Sequence, residues 1–175
     1  KPLKKKKILN YEPYYGVKLN AEGKKIALSI IRRHRLWEYF LVDKLKFSWD
    51  EVHEIAEELE HVSSNELIKR LDDFLGNPKA DPHGDPIPDS NGKIELPNQI
   101  CLTNLKENQQ AVVTGVGDQN SSLLEMLSMK KINIGTKLEI KQRFLFDQSV
   151  EIKIRNQSLI TISEQLAKNI FVKIS

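Results

Sequence analysis

The sequence predicts an α+β chain in two unlike halves, a helical unit followed by a small antiparallel β-barrel, with a short hairpin at its start. Three observations support this. Residues 20 to 76 carry helical periodicity, with helix-start residues in three places. The stretch from Asn77 to Gly92 holds four prolines and two glycines, a composition that ends regular structure. Beyond about Pro97 the apolar spacing changes to a period of two, in five short runs.

The opening, Lys4 to Leu19, reads as a hairpin turning through Glu12-Pro13-Tyr14, with Pro13 and Gly16 supplying the turn chemistry. Lys4, Lys5, Lys6, Lys7 and Tyr14 are candidate contacts to a phosphate backbone. A solvated basic terminus explains the same residues equally well.

Asn20 is the expected N-cap of a long helix running to about Lys46. Ser48-Trp-Asp-Glu51 and Ser63-Ser-Asn-Glu66 read as capping boxes that start a second and a third helix, and Gly76 ends the third. Ala27, Ile31, His34, Glu38, Leu41 and Leu45 follow a heptad-like spacing, so His34 and Glu38 interrupt an apolar stripe. In the second helix Val52, Ile55, Ala56 and Leu59 form the apolar face. Leu67, Leu71, Phe74 and Leu75 lie on one side of the third, suited to a core or a subunit interface. The linker contains His83, read as a turn residue in preference to a ligand. The runs beginning at Ala111, Lys137, Val150, Leu159 and Phe171 are the expected strands, with a helical piece from Ser121 to Lys130.

The chemistry concentrates in the first half. His34-x-x-x-Glu38 puts an imidazole and a carboxylate on one helical face. At about 100° per residue, His53, Glu57, Glu60 and His61 fall within an arc of roughly 100° on the next helix. Histidines and carboxylates at such spacing suit divalent cations. The usual alternative, solvated surface residues, is weakened by their place in and beside apolar stripes, where charges need partners.

Composition bounds the rest. At 175 residues with 39% hydrophobic content, the chain holds one large domain or two small ones. The single Cys101 excludes a disulfide framework and a cysteine-rich zinc module. No run reaches the length of a membrane helix and no signal-peptide pattern opens the chain, so a cytoplasmic protein without a membrane partner is expected. The net charge of +3 hides an asymmetry: five of the 27 basic residues lie in the first seven positions, and the remaining 22 face 24 acidic ones. From Ser48 to Leu75 nine acidic residues face only Lys69 and Arg70, a pattern that attracts cations and repels nucleic acid.

Arg33-His-Arg-Leu-Trp-Glu38, Val52-His-Glu-Ile-Ala-Glu-Glu-Leu-Glu-His-Val62 and the loop His83-Gly-Asp-Pro-Ile-Pro88 together resemble the metal-dependent transcriptional repressors related to the diphtheria toxin repressor. The resemblance implies a wing remnant of a winged-helix DNA-binding domain over residues 1–26, a helical metal-binding and dimerisation domain over 27–92, and an SH3-like, FeoA-type β-barrel over 98–175. It implies a homodimer that binds double-stranded operator DNA and is not an enzyme, with Mn2+ or Fe2+ as corepressor at two sites per subunit. Its metal ligands are expected at His34, Glu38, His53, Glu57, Glu60 and His61. Glu57 stands where iron-responsive members carry Cys, and a hard carboxylate there suits Mn2+ or Fe2+. The helices expected before the wing, including the recognition helix, are not in the sequence, so the chain is read as a fragment of a repressor of metal-homeostasis genes. The alternatives are a dimeric metal-sensing or interaction module with no DNA affinity of its own and, lower, a binuclear hydrolase. Asp118-Gln-Asn-Ser-Ser122 is the stretch from which the second half would lend a further ligand.

Overall fold

The computed structural model describes residues 8–12, 16–62, 64–155 and 157–175. Lys4, Lys5, Lys6, Lys7 and Tyr14, the candidate phosphate contacts, lie outside these residues. The expected hairpin is present as β1 (Leu9–Glu12) and β2 (Gly16–Leu19), antiparallel with Leu9 opposite Leu19.

Asn20 caps α1 (Ala21–Asp43): its side chain accepts the Gly23 N–H at 2.9 Å. Gly23 is buried, and a Cβ there would collide with the Ile8 carbonyl, so the missing side chain is what lets the first turn of α1 lie against the hairpin. The expected apolar stripe is buried only in its middle, at Glu38 and Leu41; Ile31 and Leu45 are exposed. Leu36, off that stripe, is fully buried against Ile68, Leu71, Leu75 and Ile87. One helix therefore serves two neighbours, α3 on one side and α2 on the other.

Helix α2 (Val52–Glu60) packs Val52 and Ala56 against Leu41. The expected capping box does not form at its start. Ser48 bonds the Asp50 side chain and its carbonyl accepts the Glu51 N–H at 3.1 Å, which makes a turn where a helix cap was expected. Helix α3 (Asn65–Phe74) is capped by Ser64, one residue later than expected. Leu71 and Leu75 join the core, whereas Leu67 and Phe74 stay exposed.

The second half forms one six-stranded antiparallel sheet. Its strands are β3 (Ile100–Cys101), β4 (Gln110–Val116), β5 (Lys137–Arg143), β6 (Val150–Ile154), β7 (Leu159–Ile162) and β8 (Ile170–Ile174), in the order β3-β8-β4-β5-β6-β7. The two-residue β3 and the short helix α5 (Glu164–Lys168) were not expected; α4 (Ser121–Met129) was. Burial alternates along β6, whose Val150, Ile152 and Ile154 point into the core. Register shifts in β4 and β5 mark bulges, which bend strands and let a sheet curl round its own apolar face. Among the described residues no pairing joins β7 to β3, so the sheet is a partly open barrel. No described helix is long and apolar enough to cross a membrane.

Candidate metal centre

Two donor groups meet at one side chain, Glu38, which is 0% exposed. On its Oε1 side lie His34 Nε2 at 3.0 Å and His53 Nδ1 at 3.3 Å. Helix α1 aligns His34 with Glu38 because the two are one turn apart, and α2 brings His53 across the α1–α2 contact. The two imidazole rings meet edge-on with centroids 4.9 Å apart. His34 Nδ1 faces Glu60 Oε2 at 2.9 Å. Burial lowers the His34 pKa, but Glu38 and Glu60 outweigh it and the net shift is upward. Burial likewise raises that of Glu38, yet the neighbouring His34, His83 and His53 hold it below the ordinary carboxylate value.

On the Oε2 side of Glu38 lies His83 Nδ1 at 3.8 Å, with Asp81 Oδ1 4.0 Å beyond it. Glu38, Asp81 and His83 are all buried. In each of the two groups, one donor atom per residue lies within 4.8 Å of the others. The second group carries a plain electrostatic signature. Glu38 Oε2, Asp81 Oδ2 and His83 Nδ1 are buried without a hydrogen-bond partner, and such orphaned groups cost on the order of 1–3 kcal/mol each. Burial first, then the charges of Glu38 and Asp85, push the Asp81 carboxyl up to about 7, although two backbone N–H groups, of His83 and Asp85, bond its Oδ1. Three lone-pair atoms are thus buried without a hydrogen bond, and among the described residues only Asp81 Oδ2 of the three has a cation in reach, the Arg35 Nε at 3.5 Å. Two carboxylates and an imidazole fit a hard or borderline dication such as Mn2+ or Fe2+.

The sequence-expected ligands do not all behave alike. His34, Glu38, His53 and Glu60 converge. Glu57 lines the same cleft. His61 caps the C-terminal end of α2, is exposed, and lies outside the residues lining that cleft. The helical arc groups it with the others, and the helix ends at this residue.

Asp81 and His83 are what residue patterns missed. His83 does sit in a turn, but the turn is folded inward: the main chain at His83 carries its carbonyl to the Val116 N–H of β4 at 3.0 Å. Its surroundings read as turn chemistry, and Asp81 bonding the backbone N–H two residues on is an ordinary turn device. The one signal available was that Asp81 and His83 are two apart in a loop rich in Pro and Gly. Asp118 and Gln119, from the loop after β4, line the cleft, and Gln119 Nε2 donates to Asp85 Oδ2 at 3.0 Å.

Comparison with known proteins agrees with this architecture. Residues 20–89 match the family model for the iron dependent repressor, metal binding and dimerisation domain, and residues 100–174 match the FeoA domain. The iron-dependent repressor IdeR of Mycobacterium tuberculosis is 41% identical over 80 residues, covering 46% of this chain and 34% of that protein. The diphtheria toxin repressor of Corynebacterium jeikeium is 28% identical over 148 residues, covering 82% of this chain and 60% of that protein. The match to IdeR thus spans about a third of that relative's length. Among solved structures, a manganese-dependent transcriptional repressor in complex with manganese superposes with a TM-score of 0.84 at 32% identity, over 96% of this chain and 78% of that one. With both halves matched in order and the whole fold superposed, the chain belongs to the family of metal-dependent transcriptional repressors related to the diphtheria toxin repressor.

Proposed function

We propose that this chain is the metal-sensing and dimerising part of a cytoplasmic transcriptional repressor of metal-homeostasis genes, with Mn2+ or Fe2+ as effector, and that it has no enzymatic role. The observation that carries the reading is the meeting of two donor groups on Glu38, with three buried donor atoms left without a hydrogen bond. His34, Glu38 and His53, with Glu60 behind, make one site; Glu38, Asp81 and His83 make the other. Glu57 lines the same cleft, and His61 at the end of α2 is retained as a ligand for a site completed by residues beyond those described. The lysines Lys4, Lys5, Lys6 and Lys7, with Tyr14, are proposed to touch operator phosphates, contacts that are salt-dependent and blind to sequence.

A bound dication would add positive charge beside the buried carboxylates of Glu38 and Asp81. The chain's own residues do the rest. Glu38 spans both donor groups, His53 ties α2 to α1, and Asp81 and His83 tie the 81–86 loop to α1. Effector binding then favours the arrangement in which these elements are fixed, by its differential affinity for that arrangement. In a homodimer, a fixed arrangement holds two DNA-reading units at the spacing of two half-sites. The exposed Leu67 and Phe74 on α3, beside the half-buried Phe40, supply an apolar face for the second subunit. Expected results are Mn2+-dependent anomalous scattering at both donor groups and a dimer by sedimentation. A monomer with no cation at either group defeats the proposal.

A further inference from the structure

Trp49 belongs to no element that carries a donor, yet it touches the buried group in two ways. Its main-chain carbonyl lies 2.7 Å from His83 Nε2. A carbonyl only accepts, so Nε2 carries the hydrogen, and in the neutral imidazole Nδ1 keeps its lone pair, aimed at Glu38 and Asp81. The indole lies nearly parallel to the same ring, at 20° and 5.9 Å between centroids. Trp49 is at the same time part of the core of the second half, grouped with its buried Leu and Ile residues, a cluster against which Val42 of α1 also packs. Its Nε1 donates to Ser128 Oγ of α4 at 2.8 Å.

The other side of the loop is held as firmly. The His83 carbonyl accepts from Val116 of β4 at 3.0 Å. Gly84, at φ +91°, lies so near the Thr114 carbonyl and the Gly115 Cα that a Cβ would overlap both. The His83 ring thus lies against a tryptophan seated in the sheet's core, while the main chain at His83 and Gly84 rests on β4. Contacts within the first half also hold the loop, from Asp81 to the His83 and Asp85 N–H groups and from Arg35 to the Pro86 carbonyl, so the C-terminal half supplies part of what orients the ring toward Glu38 and Asp81.

We infer that Trp49 is a positioning residue for the buried Glu38–Asp81–His83 group, and that cation affinity there and the seating of the C-terminal half on the helices are thermodynamically linked. The inference rests on the proposed cation site. Linkage is reciprocal, so whatever loosens the seat weakens the cation, and the cation tightens the seat by the same factor.

The test uses the whole chain and MnCl2 alone, reading the component of Mn2+ binding that Asp81→Asn removes, together with hydrogen exchange at the Val116 N–H. Ser128→Ala touches no donor and removes only the hydrogen bond that accepts from the Trp49 indole. It is expected to weaken that Mn2+ component roughly 10-fold, in the range found for outer-shell partners of metal ligands, and to reduce the Mn2+-induced protection of Val116 by the same factor. Trp49→Phe keeps a stacked face and loses the indole donor, so it behaves like Ser128→Ala; Trp49→Ala loses more. In a Trp37→Phe background Mn2+ broadens the remaining indole N–H signal. If Asp81→Asn and His83→Gln leave Mn2+ binding unchanged, the site itself is refuted. If they abolish their component while Ser128→Ala and Trp49→Phe bind like the parent and Val116 is equally protected, the site stands and the linkage is overturned.

Discussion

Replacing Asp81 by asparagine separates a residue kept for a cation from one kept for the fold. Asp81 is 4% exposed, and its carboxyl titrates at about 7 where 3.8 is usual. Holding it ionised at pH 8 therefore costs on the order of 4 kcal/mol at 1.36 kcal/mol per unit. The amide of the Asp81→Asn variant would keep the oxygen that accepts from the His83 and Asp85 N–H groups and would remove the charge that Glu38 and Asp85 repel. Against that gain stands Arg35, whose Nε lies 3.5 Å from Asp81 Oδ2 and would lose a charged neighbour, at a cost of roughly 1–2 kcal/mol. Arg35 keeps its bonds to the Pro86 carbonyl and Asp85. The metal-free variant is therefore expected to be more stable than the parent by about 2 kcal/mol at pH 8, a rise of roughly 4–8 °C in Tm for a chain of this size. The gain has a definite pH profile. Above pH 7 the carboxyl is ionised in both folded and unfolded chains, and the whole penalty is present. As the pH falls through 7 the folded form takes up a proton and the penalty shrinks, vanishing below 3.8, where the unfolded chain is protonated as well. With MnCl2 the order reverses, because a ligand at 100 times its Kd adds about 2.7 kcal/mol to the form that binds it. Calorimetric melting in EDTA and in MnCl2, at pH 8 and pH 5, measures all of this. A metal-free Asp81→Asn protein that melts below the parent at pH 8, or that keeps the parent's full Mn2+ shift, refutes the reasoning.

Mn2+ affinity is expected to rise from pH 6 to pH 8, with proton release, because Asp81 and His34 are both held above their ordinary values and must give up protons to bind; titration calorimetry in two buffers of different ionisation enthalpy reports the protons, and a flat profile contradicts it. His53→Ala changes a side chain that is 50% exposed, so stability should stay within about 0.5 kcal/mol while Mn2+ affinity at the His34–Glu38 group falls at least 10-fold; unchanged binding removes His53 from the site. Arg32→Met strips donors from the Pro88 carbonyl and from Asp72, each at 2.6 Å, and leaves a buried carboxylate unpaired, at a cost of roughly 3–5 kcal/mol in urea unfolding; adding Asp72→Asn should recover part of it. Ile152→Ala, at a fully buried position in β6, should cost about 2–5 kcal/mol in the C-terminal half, read by urea unfolding of the sheet.

Local patterns wrote much of the helical half. Asn20 caps α1, Gly76 follows the end of α3 with a positive φ, and the i, i+4 pair His34–Glu38 shares a face as the helical period requires. The five expected strands are all present, since period-two burial is a local property. Where the signal was a side chain with two uses, the reading slipped. Ser48 had the spacing of a cap and makes a turn. His61, at the C-cap of α2, stays outside the cleft that the other expected ligands line. The short β3 and α5 carry too few residues for any period to show.

By itself the sequence determined the order of elements, the acidic helix pair, and the shared face of His34 and Glu38 on α1, because each depends on residues within a turn or two of one another. Only the tertiary structure decided that Asp81 and His83 face Glu38, that Trp49 is packed in the sheet's core, and that α1 shares its buried surface between two partners. A Pro- and Gly-rich loop has the same composition whether it lies in water or is pressed between two halves of a molecule. Burial, and with it the raised Asp81 carboxyl and the three donors without a hydrogen bond, comes from contacts between residues tens of positions apart.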